Sequence, residues 1–295
     1  MTSPTSPPRL SSRLSSLAGQ LGLSGKAARR MLDRARQLSL PFQPIPLPTL
    51  SIWWQLGPQL DRLVDLPRGA LSGPVQEDKA AAHAVLARLL EVTHSQVPAF
   101  DLREIDGLCC PPGDQPPHAR LEELAATPTC RSLRLISYKD FLKTAEQVLP
   151  AKGQPLRLRQ AEWFGERLFY DGGGGATLAA LVAYARLRGL KHELPASIAH
   201  HRLNPVVLAE LNAHYHVLGM PAETWSDPSF MGLLLDSGLP YSRLLLQRTP
   251  NVLEALLLPR ADEQANAMGE GLRLAGAPDL VEFLYNLPTT LQIDP

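Results

Sequence analysis

The chain has 295 residues, 44% of them hydrophobic and 20% charged, enough to bury a sizeable core as one large domain or two modest ones. Its 29 basic residues balance 29 acidic ones, which argues against a dedicated nucleic-acid binder while leaving local patches open. No apolar run approaches the roughly 18 residues of a membrane span, and Cys109, Cys110 and Cys130 form neither a disulfide framework nor a cysteine zinc site, so the expectation is a soluble protein of the reducing cytoplasm.

Residues 1–38 carry Arg9, Arg13, Lys26, Arg29, Arg30, Arg34 and Arg36 against Asp33 alone, a local charge of +6. Leu10, Leu14, Leu17 and Leu21 share one helical face, and a second helical stretch with Ser24 as its cap runs to Gln37. Three roles compete for this segment. It is a disordered or loosely helical extension, a basic amphipathic helix that contacts an anionic surface, nucleic acid or partner protein, or a secretion signal without a cleavage site. The apolar core of a cleavable secretory peptide is missing. Pro41, Pro44, Pro46 and Pro48 then make an extended linker.

The reading that follows has three parts: a basic, flexible arm and linker over 1–45, a mostly helical and irregular part over 46–130, and an α+β core over 131–295. Trp53 and Trp54 are expected to bury against the protein body. Lys79 to Val92 reads as a helix with Ala82, Val85, Leu86, Leu89 and Leu90 along one stripe. Its His83, and His94 beyond it, read as polar-face or capping residues. Between Pro98 and His118 the prolines and glycines indicate an irregular connection, with Cys109 and Cys110 as incidental thiols.

From Ser132 the texture alternates. Leu133 to Leu135 reads as a strand, Tyr138 to Leu149 as a helix and Leu156 to Arg159 as a strand, an order that argues for a small mixed sheet with packed helices. Asn204 and Pro205 open a helix expected over 205–218, and Gly219 and Pro221 end it. Phe230 to Leu235 reads as a short helix with Asp227 as a cap. Arg243 to Gln247 and Val252 to Leu258 form a hairpin around Arg248-Thr249-Pro250-Asn251, and helices follow over Asp262 to Leu274 and Leu280 to Leu287.

The stretch from Glu162 to Glu193 carries the chemistry. A short strand, Leu168 to Tyr170, ends at Asp171, then Gly172, Gly173, Gly174 and Gly175 lead into a helix over Ala176 to Arg188 that Gly189 stops. Glycines ahead of a helix let bare backbone approach a ligand, and the unpaired N–H groups of the first turn favour an anion. The lysine of a phosphate-binding P-loop is missing, since Ala176-Thr177 follow the glycines, and Thr177 stands where a dinucleotide fold needs its third glycine. Two readings result. Either the glycines serve a turn only, or they hold a phosphate-bearing small molecule or a partner's backbone with the N–H groups of Ala176 and Thr177, beside Asp171 and Arg167.

The order Leu135-Ile136-Ser137-x-x-Asp140-Phe141, Gln154 to Leu158, Gly165 to Gly172 and the apolar helix to Gly189 resembles the core of the ParB/sulfiredoxin-like superfamily, over about 131–200. The resemblance implies that fold, and a nucleotide or phosphate site built on a His or Arg pair after the Asp-Gly. Gly173, Gly174 and Gly175 stand in place of that pair. The whole chain also resembles an uncharacterised bacterial family, which implies no mechanism.

Five of eight histidines, His192, His200, His201, His214 and His216, fall close together in sequence. They read as surface and helix-end residues, and the residues to suspect if a metal is bound are His200, His201 and His214 or His216. The favoured function is a ligand-binding or interaction protein with a degenerate glycine-rich anion loop and no nameable cofactor. One alternative is a nucleotide- or phosphoester-acting enzyme of ParB-like type with Asp171 as metal ligand or general base. Another is a delivered effector or phage-related factor that uses the N-terminal arm.

Overall fold

A computed structural model describes residues 23–45, 47, 51–54, 60–109, 118–151, 153–247 and 252–290. The leucine face of residues 1–22, Pro46, Pro48, Cys110 with its following prolines, and the Arg248 to Asn251 turn lie outside the described residues.

In chain order the elements begin with α1 (Leu23–Arg36), α2 (Gln76–Leu86), β1 (Leu90–Asp101), β2 (Gly107–Leu108), α3 (Leu121–Ala125), α4 (Pro128–Arg131) and α5 (Tyr138–Val148). Then come β3 (Leu156–Ala161), β4 (Phe169–Tyr170), α6 (Gly175–Arg188), β5 (Glu193–Leu203), α7 (Pro205–His214) and β6 (Tyr215–Pro221). The chain closes with α8 (Pro228–Asp236), β7 (Ser242–Gln247), β8 (Leu253–Pro259), α9 (Glu263–Leu274) and α10 (Leu280–Thr290). The fold is mixed α+β, and it divides into two compact units that do not follow chain order. Among the described residues no helix is long and apolar enough to cross a membrane.

One unit comprises Pro46–Asp65, Ala87–Pro205 and Leu284–Pro295. Its five-stranded sheet runs β1-β5-β3-β4-β2. β5 pairs antiparallel with β1 and parallel with β3, and β3 meets the two residues of β4 antiparallel. A parallel neighbour needs a crossover, and α6 supplies it between β4 and β5. Its Leu178, Leu181, Val182 and Ala185 are fully buried with Leu156 and Leu158 of β3, Ile198 of β5 and Phe141 of α5. The apolar face of α6 is thus what holds the glycine loop ahead of it against the sheet. α5 starts where a capping box fixes it, with Ser137 Oγ accepting from Asp140 N and Asp140 Oδ2 accepting from Ser137 N.

Three sequence expectations change between Lys79 and Leu135. The helix expected over Lys79 to Val92 stops at Leu86, and Leu90 opens the twelve-residue strand β1. Pro98 stands where the β1 register shifts between Val97 and Phe100; an edge strand with a bulge tolerates a missing N–H, so the proline does not break the strand. The strand expected at Leu133 to Leu135 is a turn off α4, with Leu133 N donating to Cys130 O and Arg134 N to Arg131 O, and Arg134 at φ 47.

The other unit comprises Met1–Ile45, Leu66–Leu86 and Val206–Phe283, around the antiparallel sheet β6-β8-β7. The helix expected over 205–218 ends at His214, and Tyr215 to Pro221 pair with β8 instead. Tyr215 to Met220 are all buried, and a short strand buried on both faces has the same continuous apolar texture as a buried helix. The hairpin and the last three helices are found where expected, with Asp227 Oδ1 accepting from Phe230 N at 2.7 Å and Asp262 Oδ1 from Ala265 N at 2.8 Å. α1 packs on α9 through buried Met31 and Ala35, and Leu38, Leu40 and Phe42 join the same core, so this part of the basic segment is packed.

Candidate functional site

The glycine loop lies between β4 and α6, and its four glycines are not equivalent. Tyr170 folds back so that its hydroxyl donates to Val148 O at 3.3 Å. A β-carbon on Gly172 would collide with that hydroxyl, and one on Gly174 with the Val148 side chain. Gly174 also adopts φ 72, ψ 30, a left-handed conformation that favours glycine. Gly173 is different: it is exposed, and nothing stands within 4 Å of where its β-carbon would be. Packing and conformation therefore account for Gly172 and Gly174 and leave Gly173 open. The helical ladder starts with Leu178 N donating to Gly174 O at 2.9 Å. The N–H groups of Gly175, Ala176 and Thr177 precede that first rung, so no helix carbonyl serves them.

Asp171 is clamped. Its Oδ2 accepts from Arg159 Nε at 3.0 Å and lies 2.9 Å from Nη2, while Arg159 Nη1 is 3.6 Å from Asp61. Burial opposes the Arg159 charge, but Asp171 above all, with Cys109 and Asp61, outweighs it and raises the guanidinium above its ordinary value. Arg157, two residues earlier on β3 and hence on the same face, is exposed, and its carbonyl accepts from Asp171 N at 2.9 Å. Burial pushes the Tyr170 hydroxyl up, and the Arg157 charge opposes the shift. The rim of the loop thus holds a carboxylate paired with Arg159 and a first helical turn whose N–H groups have no partner among the described residues.

Arg167 faces elsewhere. Its Nη1 donates to Ser51 O at 2.9 Å and its Nη2 to Asp106 O at 3.3 Å, and it lies 5.4 Å from the centre of the Phe169 ring. With Asp106, Arg120, Glu122 and Arg186 it lines a cavity of about 560 Å³. The expectation that Arg167 flanks the loop beside Asp171 does not describe these contacts. Nothing in the sequence marks the cavity except Arg186, one of two charges in the last turn of a largely apolar helix.

The histidines do not converge. His200 and His201 are adjacent on β5 and so point to opposite faces. His200 sits between Ser95 Oγ and Gln160 Oε1, both at 2.7 Å. The buried His201 ring lies 5.3 Å from that of Trp54, and burial lowers its titration. His214 Nδ1 lies 2.8 Å from Glu210 O within α7, and His216 Nε2 2.8 Å from Asn266 Oδ1. Among the described residues no group of three or more His, Cys, Asp or Glu side chains is placed to hold a metal ion.

A protein-family model described as a family of unknown function (DUF6685) matches residues 95–295, more than half of the chain. No curated protein and no solved structure matches it.

Proposed function

The chain belongs to that family of unknown function, so its role rests on its own residues, and we propose that it is a binding protein whose glycine loop holds the oxyanion of a small phosphate-bearing molecule. The observation that carries this reading is the Arg159 clamp on Asp171, 2.9–3.0 Å long, beside the open backbone at Gly173. An unpaired carboxylate there would repel an anion. Neutralised by Arg159, it leaves the N–H groups of Gly175, Ala176 and Thr177 and the positive end of the fourteen-residue α6 to dominate.

The ParB/sulfiredoxin-like likeness supports the same location but supplies no charged pair, since glycines occupy those positions. The enzyme alternative needs Asp171 as base or metal ligand, and two N–H donors already engage its Oδ2. The basic segment 1–38 offers a second contact, to a protein or an anionic surface. Because Met31 and Ala35 of α1 are buried, its test is deletion of residues 1–22 alone. A delivered factor would lose delivery and keep ligand binding.

The test is calorimetric titration of the full chain with inorganic phosphate and with ATP. Gly173→Asp places a negative charge in open space and is expected to weaken binding at least about tenfold with an unchanged melting temperature. Asp171→Asn should bind within a few-fold of wild type and leave no lost turnover to explain. Equal binding by Gly173→Asp and wild type would refute the loop site.

A further inference from the structure

The cavity at the other end of α6 is lined by a cation that has no carboxylate within ion-pairing distance among the described residues. Arg167 is half-buried, and both of its hydrogen bonds go to neutral main-chain carbonyls, Ser51 O and Asp106 O. Asp106, the acid next to it, is engaged elsewhere: Oδ2 accepts from Leu168 N at 3.0 Å, and Oδ1 is 3.8 Å from Arg186 Nη2. Among the described residues no carboxylate lies within ion-pairing distance of Arg167. A partly buried charge left without a counter-ion is costly. Burial accordingly pushes the Arg167 guanidinium below its ordinary value, with Asp106 offsetting only part of the shift.

Two further guanidiniums line the same space. Arg186 is held rigidly, donating from Nε to Arg103 O at 2.8 Å, from Nη2 to Ile105 O at 2.8 Å and from Nη1 to Glu122 Oε1 at 2.9 Å. Burial raises the Glu122 carboxyl, but the Arg186 hydrogen bond and charge outweigh it, so the group stays ionised and paired. Arg120 is exposed at the rim, and its guanidinium makes no hydrogen bond among the described residues. Among the described lining residues three cations face two carboxylates, which leaves one positive charge in excess. Each guanidinium has five N–H donors in a planar fork suited to a carboxylate or phosphate, and Arg167 uses two of them.

We propose that this cavity is a second ligand site, distinct from the glycine loop, for a small molecule bearing one carboxylate or phosphate group, with Arg167 as the buried anchor and Arg120 closing over the ligand. The volume suits a small metabolite. Arg186 acts as a positioning residue through its carbonyl bonds.

The probes are sodium succinate and inorganic phosphate, titrated separately into the full chain and followed through the guanidinium Nε–H signals of Arg167 and Arg186. Whichever probe saturates these signals identifies the acid class. Arg120→Ala, which removes no hydrogen bond or close ion pair among the described residues, is expected to weaken that binding about tenfold at a nearly unchanged melting temperature. Arg167→Lys is expected to weaken it at least as much, since one ammonium replaces a fork. Gly173→Asp should leave it intact, which separates this site from the loop. The proposal is overturned if neither probe moves the two arginines, or if Arg120→Ala and Arg167→Lys bind as the wild type does.

Discussion

The two ends of α6 solve the same electrostatic problem in opposite ways. At the N-terminal end the charged side chains balance, since Arg159 lies between Asp171 and Asp61 and the exposed Arg157 stands two residues away on β3, and what remains is the backbone of the loop and first turn. At the C-terminal end the carbonyls of Ser51, Arg103, Ile105 and Asp106 are all taken by guanidiniums, and what remains is side-chain charge. An anion would meet N–H dipoles at one end and arginine forks at the other. A charge with its partner beside it is part of the architecture, whereas a half-buried charge with no carboxylate beside it among the described residues favours an added anion.

The comparison breaks most visibly through stability. Gly174→Ala must hold alanine at positive φ against Val148 and is expected to cost about 1–3 kcal/mol in urea denaturation, while Gly173→Ala stays within about 0.5 kcal/mol. Equal costs would mean that the four glycines are interchangeable, against the packing described above. Arg186→Met leaves two buried-side carbonyls and Glu122 without their donor and is expected to cost about 1–3 kcal/mol, with Arg120→Ala near zero as its control. Acidification gives the smallest effect and acts on the C-terminal end. His192, which follows α6, lies edge-on to Phe141 with centroids 5.3 Å apart, and burial lowers its titration below the ordinary 6.5, with Asp101 opposing. The unfolded chain therefore takes up a proton there before the folded one does. The stability contribution is complete above about pH 6.5 and is lost as pH falls towards the folded value. His192→Leu should flatten the fall in melting temperature below about pH 6.5, and an identical slope in both proteins would contradict the assignment.

Local signals were the legible ones. The boundaries of α6, the Ser137 capping box, the Asp227 and Asp262 caps and the β7–β8 hairpin all rest on residues a few positions apart. The strands β1, β5 and β6 were not legible. Pro98 reads as the start of an irregular connection when sequence alone cannot show an edge bulge, and the full burial of Tyr215 to Met220 erased the period that separates strand from helix. The loop was legible because its glycines are contiguous. The cavity was not, because Arg120, Arg167 and Arg186 belong to separate elements and meet only after β4 and α6 have folded against the segment from Arg103 to Asp106. Arg167 itself was singled out from sequence, but with the wrong neighbours.

The central claim is that α6 offers bare backbone donors to an oxyanion at its start. The most direct measurement is a titration of inorganic phosphate into isotopically labelled full chain, followed at the backbone amides of Gly173 to Thr177. The account expects saturating shifts at Gly173, Gly175, Ala176 and Thr177 that disappear in Gly173→Asp. Unmoved amides in that segment at saturating phosphate would contradict it and leave the glycines as a turn.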